Sequence, residues 1–396
     1  MIRIAFTILG GKGWLGGRHY LINLLRSLRT YEAQEVTPVL FVSDRLAEED
    51  VAPFRSIDGV EIVASAHFSA ERRTQRILQA LLWGQDSNAV RLFRAHRIDV
   101  VFEPAQFYGW RLPMPAVAWV PDFQDRHLPH MFSRKAHVQK WVGQWIQTLT
   151  GRTFMLSSED SRSDCERFYP PTRGRTRVVR FAVPAPRAVQ AAELAEVLRL
   201  HGLPERFFFL PNQLWAHKNH ICVVKALKIL EDGGHRAVVA VTGNSQDMRH
   251  RAHFDSLMRE VSESGLAGSF RFLGVVPYEH VLALMQGAAA LINPSRCEGW
   301  STTVEEAKSS GTPMILSSLP VHREQAGENA LYFSPDSPHE LARLLQSFEP
   351  LSREERAAAA TKARIESGVR LAQFARDFYD VMNESLQGNR RGVATL

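Results

Sequence analysis

Short apolar runs alternate with helical patterns along most of the chain, and this alternation restricts the fold more than any other feature. Consecutive parallel strands need a crossover helix between them, so the pattern is typical of parallel sheets wrapped by helices. We therefore expect two successive series of strands. They are IRIAFTI, VTPVLFVS, VEIVAS, IDVVFEP, PAVAWVP, TFMLSS and RVVRFAV, and then FFFLPN, AVVAVTG, SFRFLG, AALINPS, PMILSS and ALYFSP.

The length of the chain, 396 residues, is enough for two domains of ordinary size. Residues 183–205 begin rich in proline and continue as a helical pattern, so we expect the hinge there. The sequence predicts an α/β protein with two doubly wound, Rossmann-like parallel-sheet domains that face a cleft. The expected bounds are 1–185 for the first domain and 186–369 for the second, with a helix at 370–396 that packs back on the first domain.

Charge and cysteine content exclude several classes of protein. Lysine and arginine exceed aspartate and glutamate by only 48 to 42, which suits anionic substrates or an anionic membrane face. No dense basic run occurs, so we expect no nucleic-acid partner. Cys165, Cys222 and Cys297 are widely separated, which argues against disulfides and zinc clusters. No apolar stretch reaches about 18 residues, so we expect a cytoplasmic protein, soluble or peripheral on the inner face of the membrane.

A glycine-rich turn, GGKGWLGG, follows the first predicted strand. Glycines let the backbone approach a phosphate or sugar closely, and Gly16 and Gly17 immediately precede a predicted helix whose free N–H groups attract anions. Gly11, Gly13 and Gly16 match the spacing of a dinucleotide-binding turn only loosely. A tight connection between a strand and a helix explains the same residues.

Two acids, Glu298 and Glu306, lie eight positions apart around a predicted helix start in INPSRCEGWSTTVEEA. Thr302 and Glu305 fit a capping box, which predicts a helix start near Thr303. A diphosphate at that helix N-terminus would be stabilised by up to roughly 2 kcal/mol. Glu306 would then accept hydrogen bonds from a ribose and Glu298 would face a sugar. On spacing alone, two solvated surface carboxylates are an equally good interpretation.

This segment resembles the E-x7-E motif of retaining glycosyltransferases with the GT-B fold, in the large family four. FLPNQLWAHKNH resembles the family's phosphate-binding turn, VTGN its second glycine turn, FLGVVPYEHVLALM its nucleotide-base loop, and SSGTPMILSSLPVHREQAGENALYF its closing motifs. The agreement in order and spacing runs from about residue 207 to 345, and it includes the glycine turn near the N-terminus. The resemblance implies that the first domain binds an acceptor and the second a nucleotide sugar.

The resemblance also implies roles for individual residues. Glu298 would bind hydroxyls of the donor sugar, Glu306 the ribose, and Lys218 the diphosphate. Val275 and its neighbours would read the base through the backbone. The donor-binding residues expected in this way are Gly16, Gly17, Gln213, Lys218, Gly243, Val275, Trp300, Ser301, Thr302 and Glu306.

Lys218 has an independent chemical rationale. A departing nucleoside diphosphate develops negative charge, and the chain has no D-x-D pattern to hold a metal. A lysine and a helix N-terminus would supply the stabilisation instead, so we expect neither a metal nor another cofactor. A surface lysine in a turn is the alternative. Gln213 stands where the family usually has an arginine, and Arg296 or Arg323 would replace that cation.

The catalytic residues are less well defined by the resemblance. Where the family often has His-Asp, after the strand PAVAWVP, this chain has Pro121 and Asp122, followed by FQDRHLPH. Asp122 is the better candidate to accept a proton from the acceptor hydroxyl, and His127 is the second. A capping or turn-stabilising aspartate is the alternative. With Glu298, these residues form the expected catalytic set.

The predicted function is transfer of a sugar, with retention and without metal, from a nucleotide diphosphate sugar to a hydroxyl of a surface polysaccharide or lipid-linked oligosaccharide. One alternative is a sugar-nucleotide epimerase of the same fold. Another is a catalytically silent subunit that binds nucleotide sugar or glycan. The first predicts an epimer from donor alone, and the second predicts no turnover with any acceptor.

Two helical segments suggest attachment to an anionic membrane. ERRTQRILQALLWG places Arg72, Arg73 and Arg76 beside leucines and a tryptophan, and HVQKWVGQWIQ places Trp141 and Trp145 four residues apart. Basic residues beside leucine and tryptophan can seat a helix on anionic lipid. Packing of the same helices on a sheet is the alternative.

Overall fold

The computed structural model describes residues 1–8, 15–104, 106–247, 250 and 252–394. The chain forms two compact units. Unit 1 contains Met1–Phe123, Arg134–Ala182 and Arg370–Leu396, and unit 2 contains Gln124–Ser133 and Val183–Val369. The short segment Gln124–Ser133 therefore groups with unit 2, although it lies inside the range expected for the first domain.

Unit 1 is built on a seven-stranded sheet in which every strand pair is parallel. The strand order is β3-β2-β1-β4-β5-β6-β7. The strands are β1 (Ile2–Thr7), β2 (Val36–Val42), β3 (Glu61–Ala64), β4 (Val100–Pro104), β5 (Ala116–Trp119), β6 (Thr153–Leu156) and β7 (Thr176–Val178). The helices up to β7 are α1 (Leu15–Tyr31), α2 (Glu48–Arg55), α3 (Arg73–Leu82), α4 (Ser87–Ala95), α5 (Gln124–His127), α6 (Arg134–Thr148) and α7 (Glu159–Phe168), of which α5 groups with unit 2.

Unit 2 is built on a six-stranded parallel sheet in the order β10-β9-β8-β11-β12-β13. Its strands are β8 (Phe208–Leu210), β9 (Val239–Thr242), β10 (Phe270–Gly274), β11 (Leu291–Asn293), β12 (Met314–Ser317) and β13 (Ala330–Phe333). The remaining helices are α8 (Ala191–His201), α9 (His220–Asp232), α10 (His253–Glu263), α11 (Tyr278–Gly287), α12 (Thr302–Ser310), α13 (Pro320–Ala326), α14 (Pro338–Ser347) and α15 (Arg353–Ala394).

Both sheets reverse their strand order beside their first strand. In unit 1 this point lies between β1 and β4, and in unit 2 it lies between β8 and β11. Two doubly wound, Rossmann-like sheets confirm the α/β architecture predicted from the sequence. Ligands of such sheets bind outside the carboxyl ends of the strands where the order reverses. In unit 2, the segments that follow Leu210 and Asn293 therefore define where a site belongs.

The end of the chain supplies part of the core of unit 1. Phe374, Phe378 and Met382 of α15 are fully buried. The ring of Phe378 lies 5.8 Å from the ring of Phe6 on β1 and 5.3 Å from that of Phe102 on β4, between centroids. Aromatic side chains of this size contribute strongly to core packing. Unit 1 is thus closed by residues from both ends of the sequence.

Candidate active site

Lys218 and Glu298 meet at the carboxyl ends of β8 and β11. Lys218 ends a 3₁₀ turn after β8, and its Nζ lies 2.6 Å from Oε1 of Glu298 in the loop after β11. The Oγ of Ser295 donates to the same carboxylate oxygen at 2.6 Å. Both charged side chains are largely buried, at 14% and 10% exposure. The structure thus brings together two residues that are eighty positions apart in the sequence.

Asn219 fixes the turn that carries Lys218. It adopts a left-handed conformation with φ of 59°, which asparagine tolerates better than most residues. Its Nδ2 donates to the carbonyl oxygens of Pro294, at 3.0 Å, and Pro335, at 2.9 Å. These bonds tie the turn after β8 to the segments that follow β11 and β13. Lys218 is therefore held toward the site and not left as a mobile surface lysine.

The carboxylate of Glu298 is ionised at neutral pH. Burial raises its pKa, but the charge of Lys218 and the hydrogen bonds from Lys218 and Ser295 oppose burial and lower the pKa to about 2. Both hydrogen bonds go to Oε1. Among the described residues no donor contacts Oε2, so this oxygen is available to hydroxyl groups of a ligand.

The start of α12 differs from the sequence prediction. The helix begins at Thr302 with Ser301 as its N-cap residue, and no side chain caps it. The predicted capping box is wrong, because the buried carboxylate of Glu305 bonds elsewhere. Its Oε1 accepts from Lys308 Nζ at 2.9 Å and from Gln325 Nε2 at 3.0 Å. A buried carboxylate with these two donors gains more than it would by reaching back to the helix end.

Gln325 of α13 holds the backbone at Ser301 with two hydrogen bonds. Its Oε1 accepts from the Ser301 N–H at 3.1 Å, and its Nε2 donates to the Ser301 carbonyl oxygen at 2.8 Å. Of the expected backbone donors, Ser301 is therefore already occupied. In the described part of the chain the N–H groups of Thr302 and Thr303 have no partner, so they remain for an anion. The side chain of Trp300 is buried, with Lys308 Nζ 5.9 Å from its ring centroid.

Two asparagines attach α12 to the point where the sheet order reverses. Nδ2 of Asn212 donates to Oδ1 of Asn293 at 3.2 Å, and Nδ2 of Asn293 donates to Oγ of Ser301 at 3.0 Å. Thr303 Oγ1 closes the network by donating to Oδ1 of Asn212 at 3.3 Å. The sequence analysis missed these residues. The sequence feature that could have identified them is an asparagine just after or at the end of a buried strand, in the motifs LPN and LIN.

Glu306 lies on α12 with no hydrogen-bond or ion-pair partner among the described side chains. The residue is partly buried, and burial raises its pKa to about 7. Its charge, after burial, also raises the pKa of Tyr278 at the start of α11. Val275, in the loop before α11, is 75% exposed. The acid and the beginning of α11 are therefore neighbours.

Gln213 supports the glycine turn after β9. Its Oε1 accepts a hydrogen bond from the Asn244 N–H at 3.0 Å. Gly243 has φ of 146°, and a Cβ at this position would lie 2.4 Å from the carbonyl oxygen of Asn212. A side chain is therefore excluded at Gly243, and Gln213 has a structural role in the place where the family usually has an arginine.

The two arginines considered as replacements have other partners. Nη1 of Arg296 lies 2.5 Å from Oδ1 of Asp336. The guanidinium carbon of Arg323 lies 4.5 Å from the ring centroid of Tyr332. Of the three cations considered for the phosphates, Lys218 contacts another predicted site residue, Glu298.

The remaining predicted residues lie away from this cluster in the sequence. Gly16 and Gly17 occupy the first turn of α1, which begins at Leu15, so the expectation that they precede the helix is wrong. Gly11 and Gly13 lie outside the described residues.

Asp122 and His127 were the predicted acceptor-side residues. The Asp122 carboxylate, in unit 1 after β5, lies 3.5 Å from Nζ of Lys140 on α6, and its side chain is 37% exposed. His127 is the last residue of α5, which groups with unit 2, and it is exposed.

The matching family model falls within the Val183–Val369 part of unit 2. Residues 199–366 match the family model described as glycosyl transferases group 1. The O-antigen chain mannosyltransferase RfbU of Salmonella typhimurium is 29% identical over 147 residues, which is 37% of this chain and 39% of RfbU. The match thus spans about two fifths of that relative.

Two solved structures resemble the whole chain. A glycosyltransferase from Rickettsia africae is 13% identical with a TM-score of 0.71, covering 97% of this chain and 98% of that one. Anabaena HepE in complex with UDP and glucose is 16% identical with a TM-score of 0.67, covering all of both chains. At these identities the likeness shows the fold. Residues 199–366 thus match the model of the glycosyl transferases group 1 family, and the chain as a whole has the GT-B fold.

Proposed function

We propose that the protein transfers a sugar from a nucleoside diphosphate donor to a hydroxyl group of an O-antigen-like or lipid-linked glycan, with retention at the anomeric carbon. The contact of Lys218 with Glu298 carries the proposal, because it places a cation and an ionised carboxylate where a parallel sheet binds its ligand. The group 1 family match over residues 199–366 supports the reaction class. The name of RfbU suggests the class of acceptor.

Each part of the donor has a candidate partner in unit 2. Lys218 and the free N–H groups at Thr302 and Thr303 would hold the diphosphate. Glu306 would accept hydrogen bonds from the ribose, and Oε2 of Glu298 would accept them from the sugar. The base would lie at the loop around Val275. Gly243 keeps the neighbouring strand ends close enough to form this surface.

Retention would come from the diphosphate itself. In the proposed reaction the departing phosphate assists the incoming hydroxyl on the same face of the sugar, so no enzyme nucleophile is required. Asp122, or His127 as the second candidate, would act on the acceptor hydroxyl. Lys218 would stabilise the negative charge that develops on the leaving diphosphate.

Transfer is expected to survive excess EDTA, because Lys218 and the helix N-terminus supply the stabilisation that a metal would otherwise give. The donor base is identified first by thermal shift with UDP, GDP, dTDP and ADP, since a ligand bound only by the folded protein raises its stability. Transfer from the corresponding nucleotide sugars to a lipid-linked glycan extract is then measured with and without chelator. Loss of most activity in EDTA, restored by magnesium or manganese, would contradict the phosphate site. Binding without transfer to any acceptor would contradict the transferase function.

We also propose that unit 1 attaches to anionic lipid through α3. None of the described helices is both long and apolar enough to cross a membrane. The apolar surface of α3 is instead exposed to solvent and follows the exposed basic residues Arg72 and Arg73. It consists of Ile77, Leu78, Leu81, Leu82 and Trp83, between 38% and 71% exposed. A basic, tryptophan-containing apolar surface of this kind fits the headgroup region of a bilayer.

Two of the residues that the sequence analysis placed at the membrane do not belong to this exposed surface. Arg76 is partly buried and lies over the ring of Phe68, at 5.6 Å from its centroid. Trp145 packs against Tyr169, with 5.7 Å between ring centroids, whereas Trp141 remains 41% exposed.

The purified protein is expected to float with vesicles of phosphatidylglycerol at low salt and to dissociate as salt rises. Replacing Trp83 by glutamate should abolish flotation, because it puts a charge on the apolar surface of α3. Leu200→Glu is the matched control, since Leu200 is an exposed apolar residue of unit 2, at 59% exposure against 71% for Trp83. Absence of flotation by the unmodified protein would rule out the attachment.

A further inference from the structure

His322 is a fully buried histidine on α13 that the proposed reaction does not use. Its Nδ1 lies 2.9 Å from the carbonyl oxygen of Ser317 and 3.1 Å from Oγ of the same residue. A carbonyl oxygen only accepts hydrogen bonds, so the ring proton must be on Nδ1. The neutral imidazole therefore presents an unprotonated lone pair at Nε2.

This second nitrogen is buried and has no hydrogen-bond partner among the described residues. Leaving a buried polar atom unpaired is unfavourable, so its retention calls for a functional explanation. Electron-rich and enclosed, Nε2 is suited to receive a proton whenever a negative charge nearby loses its own partner.

The ring of His322 is connected to the carboxylate of Glu298 through two serines. Oγ of Ser317 donates to the carbonyl oxygen of Ser295 at 2.7 Å, and Oγ of Ser295 bonds to Glu298. Burial lowers the pKa of His322 and the charge of Lys218 lowers it further, whereas Glu298 and the bond to Ser317 raise it. The net effect keeps the ring neutral while Lys218 is paired with Glu298.

A diphosphate competes with Glu298 for Lys218. The lysine lies 2.6 Å from Glu298, and a diphosphate offers it a partner with more negative charge. When Lys218 turns toward the phosphates, Glu298 becomes an uncompensated carboxylate in a largely buried place. Breaking a buried ion pair by removing one partner is strongly unfavourable. A replacement cation would remove that penalty.

We propose that His322 is a positioning residue for Glu298, taking up a proton on Nε2 when a nucleoside diphosphate engages Lys218. The proton comes from solvent, and the imidazolium replaces the ammonium group as the cation beside the carboxylate. Glu298 then stays ionised and in place for the sugar. This inference rests on the proposed function, since it requires Lys218 to bind the diphosphate.

The charged groups around the ring are consistent with this exchange. Glu298 faces it from the loop after β11 and Lys218 from the turn after β8. On α13 itself, Arg323 lies over Tyr332, and Glu324 follows in the sequence. The proposal requires the pKa of His322 to be lowered in the free protein and raised in the nucleotide complex. Proton uptake on nucleotide binding is therefore expected around neutral pH, between these two pKa values. It should disappear at acidic pH, where the free ring is already protonated.

Calorimetry measures the uptake directly. The nucleoside diphosphate among UDP, GDP, dTDP and ADP that raises the melting temperature most is titrated at pH 7 in two buffers of different ionisation enthalpy. The difference in heat gives the protons bound per nucleotide. The unmodified protein is expected to take up about one proton more than His322→Gln, because the nucleotide's own titration is common to both.

Tyr332→Phe is the matched control. It removes hydroxyl bonds to the carbonyl oxygens of Gly327, at 2.6 Å, and His322, at 3.3 Å, so it disturbs α13 without changing the imidazole. Its proton uptake should equal that of the unmodified protein. Loss of the uptake in Tyr332→Phe would overturn the assignment to His322.

A second variant keeps the test decisive if His322→Gln does not fold. In Glu298→Gln the nucleoside diphosphate still binds but no carboxylate is left without a cation, so the extra uptake should vanish with the histidine in place. Equal uptake in the unmodified protein and in either variant would overturn the inference, while the proposed function would stand. If none of the four nucleotides binds to the unmodified protein, the proposed function fails and the inference with it.

Discussion

Glu298→Gln is expected to lower kcat by a factor of about 100, which corresponds to roughly 2.7 kcal/mol of lost transition-state stabilisation. The sugar gains positive charge as the glycosidic bond breaks, so the ionised carboxylate interacts more strongly with the transition state than with the bound donor. Glutamine preserves the shape of the side chain but removes the charge. Steady-state kinetics with the nucleotide sugar measures the effect.

Binding of the nucleoside diphosphate that lacks the sugar separates this role from a structural one. It should be at least as tight in Glu298→Gln as in the unmodified protein, because Lys218 loses the carboxylate that competes with the diphosphate for it. Asp336→Asn is the control, since this exposed acid pairs with Arg296 outside the cluster. Unchanged kcat in Glu298→Gln would mean that the acid only supports the loop after β11.

Glu306→Gln is expected to make the protein more stable and its nucleotide binding weaker at pH 8. Burial raises the pKa of Glu306 to about 7, so the fold favours the neutral acid. That contribution to stability is complete below the unfolded pKa, near 4.5, and is lost as pH rises through about 7. Glutamine stays neutral, so the variant should be more stable by about 1–2 kcal/mol at pH 8, a figure reduced for partial exposure, and no more stable at pH 4.

The same substitution should weaken nucleoside diphosphate binding about tenfold or more at pH 8, because a ribose loses its charged acceptor. In the unmodified protein the affinity should rise from pH 6 to pH 8 more steeply than in the variant. Titration of the nucleotide's phosphates is common to both proteins, so the difference between the two slopes reports on Glu306. Thermal melts and binding isotherms at both pH values measure the two effects. Glu279→Gln is the control, since Glu279 is an exposed acid on the adjacent α11. Unchanged binding together with the gain in stability would place the ribose contact elsewhere.

The strands were predictable because each buried parallel strand is a short apolar run bounded by turn residues. The run RVVRFAV shows the limit, since only Thr176–Val178 of that region pairs as β7. Alternation of strands and helices then implied two doubly wound sheets. The position of Glu298 and Lys218 at strand ends followed from the same rule, because ligands meet such sheets at their carboxyl edge.

The partners of the predicted residues could not be read from the sequence in the same way. Ser301 looked like part of a free helix N-terminus, yet Gln325, twenty-four positions later, occupies its N–H group. Glu305 looked like a cap, but the packing of α13 against α12 gives it buried donors that local spacing does not reveal. His322 carried no signal, because its role depends on its contact with Ser317 and on the bond from Ser317 to Ser295 in the loop after β11.

The single helix α15 belongs to both units, with Arg353–Val369 in unit 2 and the rest in unit 1. The two units are therefore completed in a different order from that in which their first strands are synthesised. The first half of the chain leaves the ribosome with the inner faces of Phe6 and Phe102 still uncovered, and Phe378 reaches them only after the segments in between have been made. Unit 2 has all its strands before that moment. During synthesis the half made first is therefore completed last, and it has the longer period in which exposed apolar surface can bind chaperones or aggregate.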